Sequence, residues 1–224
     1  MVSRLLRGRK EYILISAVFL ITICILALSI RNTFEGFGLF ESQPKITIVT
    51  PCYRQKNIPR MFDSILFDRI DKWIIVYDTS KDRKYDKLYP SNPKIVEVTN
   101  NLGISGNPQR NYGMSLVYDG FIYFLDDDNI IHPAFWNITR SLNTKYFYTF
   151  DQLRDGNTFY GNTIEVGKID TAMFIASKEQ IGNIKWIEDK YDADGYFISE
   201  ILKNNKNSHK YINEIGSYYN YLRT

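Results

Sequence analysis

A chain of 224 residues leaves roughly 185 once an N-terminal apolar stretch is set aside, the size of one domain with its own core. The net charge of +3 gathers at the start, where Arg4, Arg7, Arg9 and Lys10 all precede residue 11, so the remainder is near neutral and offers nucleic acid no basic face. Two cysteines, Cys24 in the apolar stretch and Cys52 beyond it, exclude a disulfide framework and a cysteine zinc site, while an aromatic share of 15% with 17 tyrosines suggests surfaces that stack on sugars or bases.

Residues 12–30, Tyr12 to Ile30, carry no charge and are dominated by Ile, Leu, Val, Phe and Ala. A helix of that length nearly matches a bilayer core of about 30 Å. The basic residues 1–11 precede it and Arg31, Glu35 and Glu41 follow, so the positive-inside rule puts the N-terminus in the cytoplasm and the bulk of the chain on the luminal or external side. In a eukaryotic cell, or for a virus in a eukaryotic host, that side is the lumen of the ER or Golgi. The rival reading is a signal peptide cleaved near Ala27-Leu28-Ser29, but the apolar run is longer than the usual h-region of about 7 to 15 residues, which favours an uncleaved single-pass anchor. Residues 31–44, with Gly36, Gly38 and Pro44, read as a stem.

Lys45 to Thr50 is a β-branched run ended by Pro51; after Asn57 and Pro59, the spacing of Phe62, Ile65, Leu66 and Ile70 predicts a helix. Trp73 to Tyr77 is an apolar strand ending in Asp78, and Lys94 to Val98 is another. Asn107-Pro108 opens a helix through Met114 and Val117, and Phe121 to Leu125 is a third buried strand. Further on, Tyr146 to Phe150 and Thr171 to Ala176 read as strands with a turn at Arg154 to Asn157, and Ala193 to Lys203 as an amphipathic helix. Strands alternating with helices predict an α/β fold with a mainly parallel sheet flanked by helices, whose ligands bind at the carboxyl ends of the strands. Neither the dinucleotide-binding glycine fingerprint nor a phosphate-loop lysine motif occurs, which weakens a dehydrogenase or NTPase reading.

Asp126, Asp127 and Asp128 follow the third strand directly. Three adjacent carboxylates at a sheet rim repel one another unless a cation or hydrogen bonds compensate them. As hard oxygen ligands, Asp126 and Asp128 suit Mn²⁺ or Mg²⁺, which complete their shells with phosphate and water. Read alone, the run is equally a solvated turn with Asn129 capping the helix after Pro133.

Three segments carry a resemblance: Ile48-Val49-Thr50-Pro51-Cys52-Tyr53-Arg54, Asn107-Pro108-Gln109-Arg110-Asn111 and Tyr123-Phe124-Leu125-Asp126-Asp127-Asp128-Asn129. In order and rough spacing they resemble nucleotide-sugar glycosyltransferases of the GT-A fold, in particular family 2 and the family 43 glucuronyltransferases. The resemblance implies a Rossmann-like GT-A domain over residues 45–224, with a nucleotide-sugar half (45–135) and an acceptor half (136–224). It implies transfer from a nucleoside-diphosphate sugar, by preference a UDP sugar, to a hydroxyl of a glycan or glycoconjugate, with inversion; retention stays open, since spacing does not fix where the base stands. By resemblance, Tyr53 and Asp78 bind the base, Arg110 the nucleotide, Asp127 the ribose or sugar, and Asp128 the metal. Thr50, Pro51 and Arg54 belong to the same first motif, and Asn101 and Gly103, before the second helix, lie in a loop able to approach a ligand closely. In related enzymes a late histidine touches the diphosphate or metal, which nominates His209.

Inverting transfer requires a base across the donor sugar from the metal. Asp194-Gly195-Tyr196-Phe197 resembles the acidic motif that opens the family's acceptor-side helix, so Asp194 is the expected base with Asp192 in reserve; an N-cap is the alternative role. Trp186 is a candidate wall of the acceptor site, because indoles stack on sugar faces. Two other functions compete: an inactive membrane-tethered carbohydrate-binding scaffold, which would survive loss of Asp128, and a nucleotidyltransferase, which would not need Asp194. The domain is compact, so a second copy in a homodimer could supply a missing acceptor element.

Overall fold

In the computed structural model, residues 22–23, 43–79, 89–101 and 103–223 are described. The predicted tail and nearly all of the anchor and stem lie outside them. Among the described residues, no helix is long and apolar enough to cross a membrane. Pro44–Thr224 forms one compact unit.

The first half of that unit follows from its apolar strands. Strand β1 (Ile46–Cys52) is buried throughout, as an interior parallel strand covered on both faces must be. Helix α1 (Ile58–Ser64) follows, then β2 (Lys72–Asp78), β3 (Ile95–Asn100), α2 (Asn107–Ser115) and β4 (Phe121–Phe124). β1 pairs in parallel with both β2 and β4, and β2 with β3. α1 stops at Ser64 rather than running through Ile70 as the spacing predicts, because Ile65 is extended.

The second half holds β5 (Ile130–Ile131), α3 (Phe135–Ile138), β6 (Phe147–Arg154), β7 (Asn157–Phe159), β8 (Phe174–Ser177), α4 (Lys178–Ile181), α5 (Ala193–Asn204) and β9 (His209–Tyr218). The strand order is β3-β2-β1-β4-β8-β6-β9-β5, with β7 on β6. β8 pairs antiparallel with β4 and β6, β5 with β9 and β7 with β6, while β6 and β9 are parallel. The mainly parallel sheet expected from the sequence is therefore corrected to a mixed one. The turn expected at Arg154 to Asn157 is present, with the two residues paired across it, while β6 runs on past Phe150 to reach it and its partner β9 lies where no strand was predicted.

Side chains alternate across the sheet. Ile48, Trp73, Ile75, Phe121 and Tyr123 pack on one face with Phe135 and Phe150, and Val49, Ile74, Val76, Ile122 and Phe124 on the other with Phe174, Trp186 and Phe197. α2 lies close on the second face: a Cβ at Gly113 would stand 2.5 Å from Val49 Cγ1. Alanine is the better helix former, but the overlap decides the sign. Gly113→Ala should destabilise the protein by about 1–3 kcal/mol in urea unfolding.

Candidate active site

A cleft of about 400 Å³ opens at the carboxyl ends of β1 and β4, where open α/β sheets bind their ligands. Of the sequence-predicted residues, it brings together Pro51, Tyr53, Arg54, Arg110, Asp126, Asp127, Asp128, Trp186, Asp192 and Asp194. Thr50, Asp78, Asn101, Gly103 and His209 lie outside its lining.

The three aspartates take different positions. Asp127 Oδ2 accepts the backbone N–H groups of Tyr53 (2.6 Å) and Arg54, and its Oδ1 accepts from Arg54 Nη1 (2.7 Å). Its carboxylate therefore ties the turn after β1 to the end of β4, at the lining of the cleft. Burial raises its pKa, and the Arg54 hydrogen bonds and charge oppose the rise. Breaking such a buried pair strands its partners. Asp127→Ala should cost on the order of 3 kcal/mol, measured by chemical unfolding.

Asp126 and Asp128 face the cleft on either side of this strut. Asp126 pairs with Arg110 Nη2, while Arg54 Nη1 stands 3.3 Å from Asp128 Oδ2. Burial, and then the Asp126 charge, push Asp128 up to about 6. With its amide oriented to satisfy both ends, Asn220 donates to Asp128 Oδ2 (3.2 Å) and accepts from Arg223 Nη1 (3.2 Å), so the C-terminal turn closes over the acidic run. Among the described residues, no three or more His, Cys, Asp or Glu side chains gather as a metal-binding group.

The Asn107-to-Asn111 segment joins the first half of the fold to residues 186–190, before α5. Gly106, at φ +76°, lets α2 begin against Pro51, whose Cβ lies 2.7 Å from where a Cβ of residue 106 would be. Asn107 Nδ2 donates to the carbonyls of Ile187 (2.9 Å) and Lys190 (2.7 Å), and Asn111 exchanges hydrogen bonds with the backbone of Trp186 (2.8 and 3.0 Å). Gln109 Nε2 donates to Val76 O (3.0 Å), and Arg110 Nη1 to Ser105 O (2.7 Å) and Asn107 Oδ1 (2.9 Å). Two asparagines on one helix thus fix the segment that leads to Asp192 and Asp194.

Asp194 sits in the first turn of α5, and its Oδ1 accepts from Gly195 N (2.7 Å). Burial first, and the Asp170 charge second, push its pKa up to about 7, with Asp126 adding to the rise. Asp192 is the N-cap residue of α5 but makes no side-chain cap hydrogen bond.

The structure assigns other surroundings to several expected ligand contacts. Thr50 is fully buried, and its Oγ1 accepts from Trp73 Nε1 (2.9 Å), so it serves the core. Trp186 is 2% exposed, stacked on Phe197 at 4.5 Å with the Arg110 guanidinium 4.8 Å from its ring centroid. It forms a wall of the cleft beneath Arg110. His209 stacks on Phe147 (5.0 Å) and pairs with Thr149 Oγ1 (2.8 Å), away from the acidic run, which corrects its nomination as a metal ligand. Gly103, at φ +57°, packs on the Pro108 ring, and Asn101 is exposed. Asp78 is buried at the end of β2, beside the cleft rather than in its lining.

Sequence reasoning missed Arg154, Asp170, Tyr191, Tyr219, Asn220 and Arg223, all of which line the cleft. Asp170 Oδ1 accepts from Ala172 N (3.2 Å) and Gln152 Nε2 (3.1 Å), and its Oδ2 is 3.6 Å from Arg154 Nη2. The only available signal was an aspartate just before a buried strand, too common to single out.

Residues 47–139 match the family model described as glycosyl transferase family 2. Solved structures with the same fold include S. aureus TarS 1–349, with a TM-score of 0.61, 16% identity, and coverage of 78% of this chain and 60% of that one. TarS 1–349 in complex with UDP gives 0.59 at 17% identity (78% and 60%), and in complex with UDP-GlcNAc 0.58 at 15% identity (78% and 58%). The chain thus spans less than two thirds of the structures it resembles. A search of curated proteins returns no match. The family-model match covers less than half of the chain, and the likeness to the TarS structures is one of fold.

Proposed function

We propose that this domain transfers a sugar from a nucleoside-diphosphate sugar, a UDP sugar by preference, to a hydroxyl group of a glycan or glycoconjugate, with inversion and with a divalent metal. One observation carries the reading: a single cleft sets Asp126 and Asp128, with Arg54 and Arg110, against a carboxyl group, Asp194, whose pKa is pushed up to about 7. The UDP and UDP-GlcNAc complexes of TarS, on the same fold, add support.

Asp126 and Asp128 fit a hard cation in chemistry and charge: both are carboxylates, both border the cleft, and the Asp126 charge raises the pKa of Asp128 even with Arg54 beside it. They would hold Mn²⁺ or Mg²⁺ with the donor diphosphate and water completing the shell, and when bound the metal supplies positive charge for the departing diphosphate. Arg54 and Arg110 already stand at these carboxylates and add cationic hydrogen-bond donors for phosphate oxygens. Tyr53, 43% exposed, offers a ring for the base.

Asp194 is the base. Its Oδ1 is held by Gly195 N, leaving Oδ2 for the acceptor's proton. As that O–H bond breaks, the acceptor oxygen forms a bond to the sugar's anomeric carbon. The anomeric C–O bond to the diphosphate breaks on the far side and its electron pair leaves with the nucleotide. We place the domain on a single anchor at residues 12–30, with the N-terminus cytoplasmic and the cleft luminal or external.

The test is turnover of a panel of nucleotide sugars by the full chain with Mn²⁺ or with chelator. Metal-dependent release of a nucleoside diphosphate from one donor supports the proposal, and no release or binding with any donor defeats it.

A further inference from the structure

The cleft has a half that the donor chemistry leaves unused. It is built by the ends of β6 and β9, the segment before β8 and the segment before α5, and it contains Arg154, Asp170, Tyr191, Asp194 and Tyr219. Arg154 is fixed flat: its guanidinium lies 3.8 Å from the Phe159 ring centroid and 4.0 Å from that of Tyr219, and its Nε donates to Gln152 Oε1 (3.0 Å). Its charge is answered by Asp170. Tyr191, 82% exposed, lines the cleft together with Tyr219. Arg223, the cleft's remaining arginine, is linked through Asn220 to Asp128 on the donor side.

Resting on the proposed transferase reading, we infer that this half is the acceptor subsite and that it takes a neutral saccharide, one ring seated against Tyr191 and Tyr219 with its hydroxyls bonded to Asp170 and Arg154. The aromatic rings cover the apolar face of a sugar. The carboxylate accepts hydroxyl hydrogens and the immobilised guanidinium donates to hydroxyl oxygens. Charge selects against acidic acceptors: Asp170, Asp192 and Asp194 line this half beside Arg154, whose charge Asp170 already answers, so a phosphate, uronate or sialate would enter a field with more carboxylates than guanidinium groups. The same geometry puts the bound ring beside Asp194, where the proton is to be taken.

The full chain, with Mn²⁺ and UDP, is applied to an array of neutral saccharides beside uronate-, sialate- and phosphate-bearing ones, and UDP binding is followed separately by calorimetry. Neutral saccharides should be retained and acidic ones not. Tyr191→Ala, at an exposed position, should weaken retention about tenfold, as expected for loss of an aromatic contact. Retention of acidic saccharides alone, or of none while UDP binds, overturns the inference and leaves the donor site standing. Absence of UDP binding overturns the transferase reading on which it rests.

Discussion

Asp194→Asn should lower the rate of nucleotide-sugar turnover by a factor on the order of 10² to 10⁴, the range that a positioned general base contributes, while UDP affinity holds. The amide keeps the shape of the carboxyl group and cannot take the acceptor's proton. The base works deprotonated, so wild-type turnover should rise with pH through about 7 and the residual rate of the variant should be flat there. Stability should move the other way. The folded-state pKa of Asp194 lies above that of an unfolded aspartate, so the folded protein binds the extra proton and loses stability as pH rises from about 4 to 7. Asparagine removes that loss. Thermal denaturation should show Asp194→Asn more stable than wild type at pH 8, with the gain vanishing near pH 4. A variant that is both less active and less stable at pH 8 would mean that the Asp194 carboxylate holds the first turn of α5 rather than acting as the base.

The second large effect is at Asp128. Asp128→Ala should reduce metal-dependent turnover on the order of 10² to 10³, the usual loss when a group that stabilises developing transition-state charge is removed. It should cost little stability, because it deletes a buried carboxyl group already pushed up to about 6 by burial and its acidic neighbour. Asp127→Ala should do the reverse in part, unfolding more easily because two backbone amides and Arg54 lose their acceptor. Turnover and urea midpoints measured on the pair would separate these roles, and equal effects on both would refute the distinction.

The sequence displayed the first half of the fold because its strands are short, almost wholly apolar and followed at once by polar residues. The acidic run could be found for the same reason: only Leu125 separates it from β4. Its internal division could not, since only the amides of Tyr53 and Arg54, some 74 residues away, distinguish Asp127 from its neighbours. β9 was hidden because much of it is exposed and its alternation weak. β6 was cut short because Asp151, Gln152 and Arg154 look like loop residues. Asp151 and Gln152 are buried through polar partners that lie far along the chain, Asp151 holding Gly161 N (2.9 Å) and Tyr211 (2.8 Å) and Gln152 holding Ser217 (3.1 Å). The choice between Trp186 and Tyr191 as a surface for sugar depends on what Phe197 and Arg110 cover, which no local pattern encodes.

Calorimetric titration of UDP into the full chain, with Mn²⁺ and then with chelator, tests the central claim most directly. One saturable site that requires Mn²⁺ and disappears in Asp128→Ala is the predicted result. UDP binding of equal strength with chelator and with Mn²⁺, or binding that survives Asp128→Ala unchanged, would contradict it.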